Sequence, residues 1–131
     1  MSLQATIEPL LVELYYPSES DEPVEFVSVE TRVPTPLSPE SFVSLFAISS
    51  GVEIKEAEPE KFWSAVTVYQ DWYLEEEVQR TRQFVELKAR LEKDLAHLQY
   101  FRVGEITIAA YVVGTSSEGR VEGIKTALVE T

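Results

Sequence analysis

An α+β layered sandwich is the fold class this sequence predicts, on three observations. The stretch from Leu74 to Leu98 has helical apolar spacing behind an acidic first turn. The last third, from Tyr100 to Val129, reads as successive strands joined by a Gly- and Ser-rich turn. The strand from Glu105 to Val113 is apolar on both faces, so its sheet needs cover on both sides.

The elements follow in chain order. Ile7, Leu10, Leu11 and Leu14 give the first fourteen residues a helix-like pattern, with Pro9 tolerable only near a first turn. From Tyr15 to Pro23 two prolines bracket the acidic run Ser18-Glu19-Ser20-Asp21-Glu22, which predicts a rigid exposed loop. Val24 to Arg32 is rich in Val, Phe and Thr and predicts a strand. Pro34 to Leu37 is a connector. Ser38-Pro39-Glu40 starts a helix, with a capping hydroxyl, proline at the first helical position and an early acid. Phe42, Leu45 and Phe46 are its apolar side, and Gly51 is the expected terminator.

Val52 to Glu56 predicts a short strand, and Glu58 to Trp63 a helical turn anchored by Phe62 and Trp63. An aromatic connector, Thr67 to Tyr73, leads to the long helix. That helix carries the stripe Leu74, Val78, Val85, Leu91, Leu95 and Leu98, widened by Phe84 and Leu87. Asp71 is its expected cap; Glu76–Arg80 and Glu86–Arg90 are its i,i+4 pairs. Gly104 marks a bend. Beyond it Ile106, Ile108, Ala110 and Val112 share one strand face, and Thr107, Ala109, Tyr111 and Val113 the other. Gly114 to Gly119 turns the chain into a final hairpin strand from Arg120 to Val129.

At 131 residues the chain predicts one domain, 1–131, large enough to bury about two-thirds of its unfolded surface. With no apolar run near 18 residues and no basic-then-apolar start, neither a membrane span nor a secretory signal is expected. The absence of cysteine removes disulfides and thiol chemistry and suits a reducing, cytoplasmic setting. Net charge is −12, and residues 1–60 carry −10 of it, twelve acids against two bases. Such a surface repels phosphate backbones, so nucleic acid is not an expected partner, whereas a basic protein would be drawn in.

Sites for chemistry are sparse. The one histidine, His97, falls near the expected end of the long helix without a nucleophile beside it. The sequence contains neither a Gly-rich phosphate loop nor a His-Glu-x-x-His motif. Glu19, Asp21 and Glu22 lack the ligand order of a calcium loop. No cofactor is expected. Trp63, Trp72 and Tyr73 are anchors by default, but an exposed Trp72 would mark a binding hot spot. The chain closes Ala127-Leu128-Val129-Glu130-Thr131. A terminal threonine puts a hydroxyl and a free carboxylate at one point, and hard divalent cations take such oxygens.

Several stretches together resemble the nuclease A inhibitor-like family: Ser18-Glu19-Ser20-Asp21 with Pro23; Gln70-Asp71-Trp72-Tyr73 and the acids after it; Tyr100-Phe101-Arg102-Val103-Gly104-Glu105 running into Tyr111-Val112-Val113-Gly114; and Lys125-Thr126 through Val129-Glu130-Thr131. Their order and spacing span nearly the whole chain. The resemblance implies an α-β-α sandwich with a mainly antiparallel central sheet, similar to the PR-1-like fold. It implies a protein that is not an enzyme but an inhibitor of a sugar-nonspecific DNA/RNA endonuclease of the ββα-metal class, which works with magnesium. It assigns Thr131 to that nuclease's catalytic metal and Glu19 to its active-site arginine, with Gln70 and Trp72 as further partner contacts. The free inhibitor is expected to be a monomer. Two other readings compete: an acidic module, or DNA mimic, for another basic partner without metal contact, and a metal-dependent hydrolase built from carboxylates.

Overall fold

The computed structural model describes residues 2–30 and 35–130. Expectations for Thr31 to Pro34, and those for Thr131, concern residues outside this range.

The first segment forms helix α1 (Leu3–Ile7), capped by the Ser2 hydroxyl, which accepts from the Ala5 amide at 3.2 Å. It tightens into a 3-10 turn, Glu8–Leu11, with Pro9 where its missing N–H is not needed. Strands β1 (Tyr15–Tyr16) and β2 (Glu22–Pro23) pair antiparallel. The acidic loop is therefore the tip of a small hairpin, with Tyr16 turned into the core and Tyr15 left exposed.

Strand β3 (Glu25–Glu30) is followed by α2 (Pro39–Leu45), whose Ser38 cap accepts from the Ser41 amide at 3.1 Å. This helix ends six residues before Gly51: Phe46 is its cap, and Ala47 takes the left-handed φ of 53°. Next come β4 (Ile54–Ala57), α3 (Pro59–Trp63) and α4 (Glu75–Asp94), then β5 (Ala96–Val103), β6 (Thr107–Thr115) and β7 (Arg120–Val129).

The long helix differs from expectation at both ends. Leu74 rather than Asp71 is its cap, and the Glu77 carboxylate accepts from the Leu74 amide at 3.3 Å. At the other end Leu95 is extended, and residues 96–103 pair with β6 instead of continuing the helix. Sheet pairing there buries Tyr100 on one face and Phe101 on the other, which outweighs the helical preference of Leu95 and Leu98. His97 consequently lies on β5, at a bulge, with φ of 54°. The buried stripe of α4 is Thr81, Phe84, Leu87 and Leu91, while Leu74 and Val85 are exposed. Lys88–Glu92 and Arg90–Asp94 are the i,i+4 ion pairs that form, rather than those involving Glu76 and Glu86.

The main sheet is antiparallel throughout, in the order β3-β7-β6-β5-β4. Alternation along β6 sends Ile108, Ala110 and Val112 to one core and Tyr111 and Val113 to the other. Helices α1, α3 and α4 contribute Ile7, Phe62, Trp63, Phe84 and Leu91 to the first core. Helix α2 covers the opposite face, stacking Phe42 on Phe101 with centroids 4.2 Å apart. The expected α+β layering, with helices on both faces of the sheet, is what forms.

Candidate functional site

The hairpin tip is fastened to the end of the last strand. The Ser18 hydroxyl oxygen accepts from the Val129 amide at 3.1 Å, and the Glu19 amide donates to the Val129 carbonyl at 3.3 Å. Ser18 Oγ also donates to the Ser20 carbonyl at 2.6 Å, which closes the loop on itself. Three residues back along β7, Thr126 Oγ1 donates to the Pro23 carbonyl at 2.9 Å. Sequence expected an exposed acidic loop; hydrogen bonding makes it a strap along β7, with Glu19 exposed at its tip.

The other side of the β7 end is held by Arg102. Tyr100, Arg102, Leu128 and Glu130 fall on one face of the sheet by alternation, and Arg102 and Glu130 lie where β5 and β7 run out. Arg102 Nη2 lies 2.7 Å from both Glu130 carboxylate oxygens, and Nη1 donates to Tyr100 Oη at 2.9 Å. The Glu130 carboxylate strengthens the guanidinium's hold on its proton. Glu130 is also tied through its backbone, its amide donating to the Ile106 carbonyl at 2.9 Å. Gly104 makes this corner tight: its φ is 105°, and a Cβ there would stand 2.5 Å from the Thr107 carbonyl.

A cleft of about 510 Å³ opens beside the junction, lined by buried Tyr16, Tyr100 and Leu128 and by polar Glu19, Lys61 and Arg102. Tyr16 Oη donates to the Phe62 carbonyl at 2.7 Å. Burial pushes both phenols up from their ordinary range, the more so for Tyr16. A second groove, about 800 Å³, lies between the hairpin and the first turn of α4, lined by Tyr15, Asp21, Glu75, Glu76, Glu77 and Arg80. A third hollow is shared by Glu53, Lys55, Glu105, Arg102 and Glu130. There the neighbouring Glu53 and Glu105 carboxyls influence each other, which lowers the first and raises the second. Across the three hollows nine acids meet five bases, so the edge is acidic.

Of the residues singled out in sequence, Glu19 is brought directly onto the β7 end. Thr131 lies outside the described residues, but Val129 and Glu130, which precede it, are at that junction. Gln70 and Trp72 are exposed, Trp72 at 71%, with its ring edge-on to Tyr73 at 4.7 Å. They line none of these three hollows; the α4 first turn that follows them, Glu75 to Glu77, lines the second. Sequence reasoning gave no role to Arg102. The signal was there: it is the one charge between Leu98 and Val103, and a cation on a largely buried strand needs a carboxylate. Among the described residues no group of three His, Asp or Glu is set to hold a metal, and no helix is long and apolar enough to cross a membrane.

The site is thus an acidic edge of an α+β sandwich, with a hairpin strapped to the end of its last strand. The family model described as nuclease A inhibitor-like protein matches residues 1–131, the whole chain, and this chain belongs to that family. No protein of curated function matches it.

Proposed function

We propose that this protein inhibits a sugar-nonspecific DNA/RNA endonuclease by occupying its active site. A nuclease site of that kind is shaped for phosphate, a set of acceptor oxygens between a cation and an arginine. In this reading the carboxylate and hydroxyl of Thr131 take the phosphate's place on the partner's magnesium. The Glu19 carboxylate takes its place on the partner's arginine, through a charge-assisted pair. Gln70 and Trp72 extend the contact, because two tips cannot make up the roughly 1,600 Å² of a standard interface. The chain itself performs no catalysis, carries no cofactor, binds no nucleic acid and acts as a cytoplasmic monomer, on a sandwich of the PR-1-like type.

The supporting observation is the pair of hydrogen bonds between Val129 and the Ser18-Glu19 segment, which join the two segments such an inhibitor would have to insert together. The test is to delete Thr131, or to append residues after it, and titrate nuclease activity. Inhibition falls by orders of magnitude if the tip meets the metal; undiminished inhibition removes the mechanism. The acidity of the edge favours one second reading, a mimic of DNA for another basic protein. A complex of equal strength in magnesium and in EDTA would select it.

A further inference from the structure

We infer that Arg102 is a positioning residue for the inhibitory tip, acting through Glu130; this rests on the reading above. Glu130 immediately precedes Thr131. Left to itself, its carboxylate would be a second anionic oxygen donor beside the one meant for the partner's metal, on a side chain free to sample many rotamers. Arg102 removes both problems. Its Nη2 lies 2.7 Å from both Glu130 oxygens, which neutralises that charge within the protein and holds the side chain in one place.

The fork is itself anchored. Its other nitrogen donates to the phenol of Tyr100, a residue only 1% exposed, and the guanidinium lies 5.9 Å from that ring's centre. With the Glu130 amide bound to Ile106, the residue before the tip is fixed by backbone and side chain at once. The Ser18–Val129 bond then sets Glu19 relative to the same point. Arg102 thus turns a strand end, which would ordinarily fray, into a preorganised one. A lysine could supply the charge but not the planar fork that reaches Glu130 and Tyr100 together.

The test uses the full chain as Arg102→Met, Arg102→Lys, Glu130→Gln and the Arg102→Met/Glu130→Gln double variant. Thermal melts and the order parameter of Val112 verify that each remains folded. Backbone 15N relaxation of the free protein reads the tip without any partner. The Glu130 order parameter is expected to drop from about 0.85 to below about 0.6 in Arg102→Met. The second measurement is the ratio of Kd in EDTA to Kd in magnesium, with a sugar-nonspecific ββα-metal endonuclease as the probe. That ratio is expected to shrink at least tenfold in Arg102→Met and less in Arg102→Lys, and the double variant is expected to lose no more than Arg102→Met alone. A Glu130 as rigid as in the wild type overturns the inference, as does a full magnesium-dependent gain or additive losses in the double variant. A wild type showing no magnesium-dependent gain sinks the proposed mechanism instead, and with it the functional half of this inference; the relaxation data still decide whether Arg102 orders the strand end.

Discussion

The hydroxyl of Ser18 and the amide of Val129 meet at 3.1 Å across 111 residues of chain. With the return bond from the Glu19 amide to the Val129 carbonyl, the hairpin tip and the last strand become one rigid edge. Both bonds are made by the Ser18 hydroxyl and backbone groups, so the junction can be altered at Ser18 with the Glu19 carboxylate left in place.

Ser18→Ala tests the junction. It deletes the hydroxyl's bonds with the Val129 amide, the Ser20 carbonyl and the Ser20 amide at an exposed position, so the stability loss should be about 1–3 kcal/mol. A domain stable by roughly 5–15 kcal/mol stays folded after such a loss. Inhibition should nonetheless weaken about tenfold or more, because Glu19 is no longer held at a set distance from the strand end. Denaturant melts and inhibition titrations on the same preparation check this. A lowered midpoint with unchanged inhibition would show that the alignment does not matter.

The two tryptophans should separate stability from binding. Trp63 is 1% exposed and packs edge-on against Phe62 at 4.9 Å, whereas Trp72 is 71% exposed. Trp63→Ala should cost about 3–5 kcal/mol of folding stability. Trp72→Ala should change stability by no more than about 0.5 kcal/mol and cost about 2 kcal/mol or more of nuclease binding. Calorimetry of the free protein and of the complex measures both. Trp72→Ala with native affinity would take that residue out of the interface.

These contrasts show what a sequence can reveal. The two-sided burial of β6 was legible because period-2 alternation is local and both faces were apolar from Ile108 to Val113. The capped start of α2 was legible for the same reason, since Ser38 and Pro39 act within one turn. The end of α4 was not. Leu95 and Leu98 continue a helical spacing, and only the pairing of residues 96–103 with β6 draws them into the sheet. For the candidate site, Glu19 and Trp72 are named by the resemblance of their segments to the family. The placement of Glu19 depends on the Ser18–Val129 bond and that of the strand end on Arg102–Glu130, contacts between distant segments that no local pattern encodes.

Glu19→Lys should act through charge. The edge carries a surplus of acids, so association with a basic groove should be fast in low salt and slow progressively as ionic strength rises. Reversing Glu19 should reduce the association rate modestly and raise the dissociation rate strongly, since a lysine would face the partner's arginine. Surface plasmon resonance over a salt series checks both rates. If the variant differs from wild type only in association rate, Glu19 steers the encounter and the arginine pairing is wrong.

The buried phenols predict how stability responds to alkali. Burial raises Tyr16 and Tyr100 above the ordinary tyrosine value of 10.0, and for Tyr100 the Arg102 guanidinium partly opposes the rise. A raised pKa means the folded state holds the proton more tightly than the unfolded chain. The corresponding stability is fully present below pH 10 and is lost as pH climbs from there toward the folded-state values. Each such tyrosine should steepen the loss by up to about 1.4 kcal/mol per pH unit. Tyr16→Phe gives up the 2.7 Å bond to Phe62, so it should be less stable at pH 7 by about 1 kcal/mol. It should also lose stability more slowly above pH 10, so the two curves converge. Arg102→Met should do the reverse, raising Tyr100 further and delaying its ionisation in the folded state. Chemical denaturation between pH 7 and 11 measures these slopes; parallel curves for wild type and Tyr16→Phe would mean that the Tyr16 phenol ionises as readily in the folded protein as in the unfolded chain.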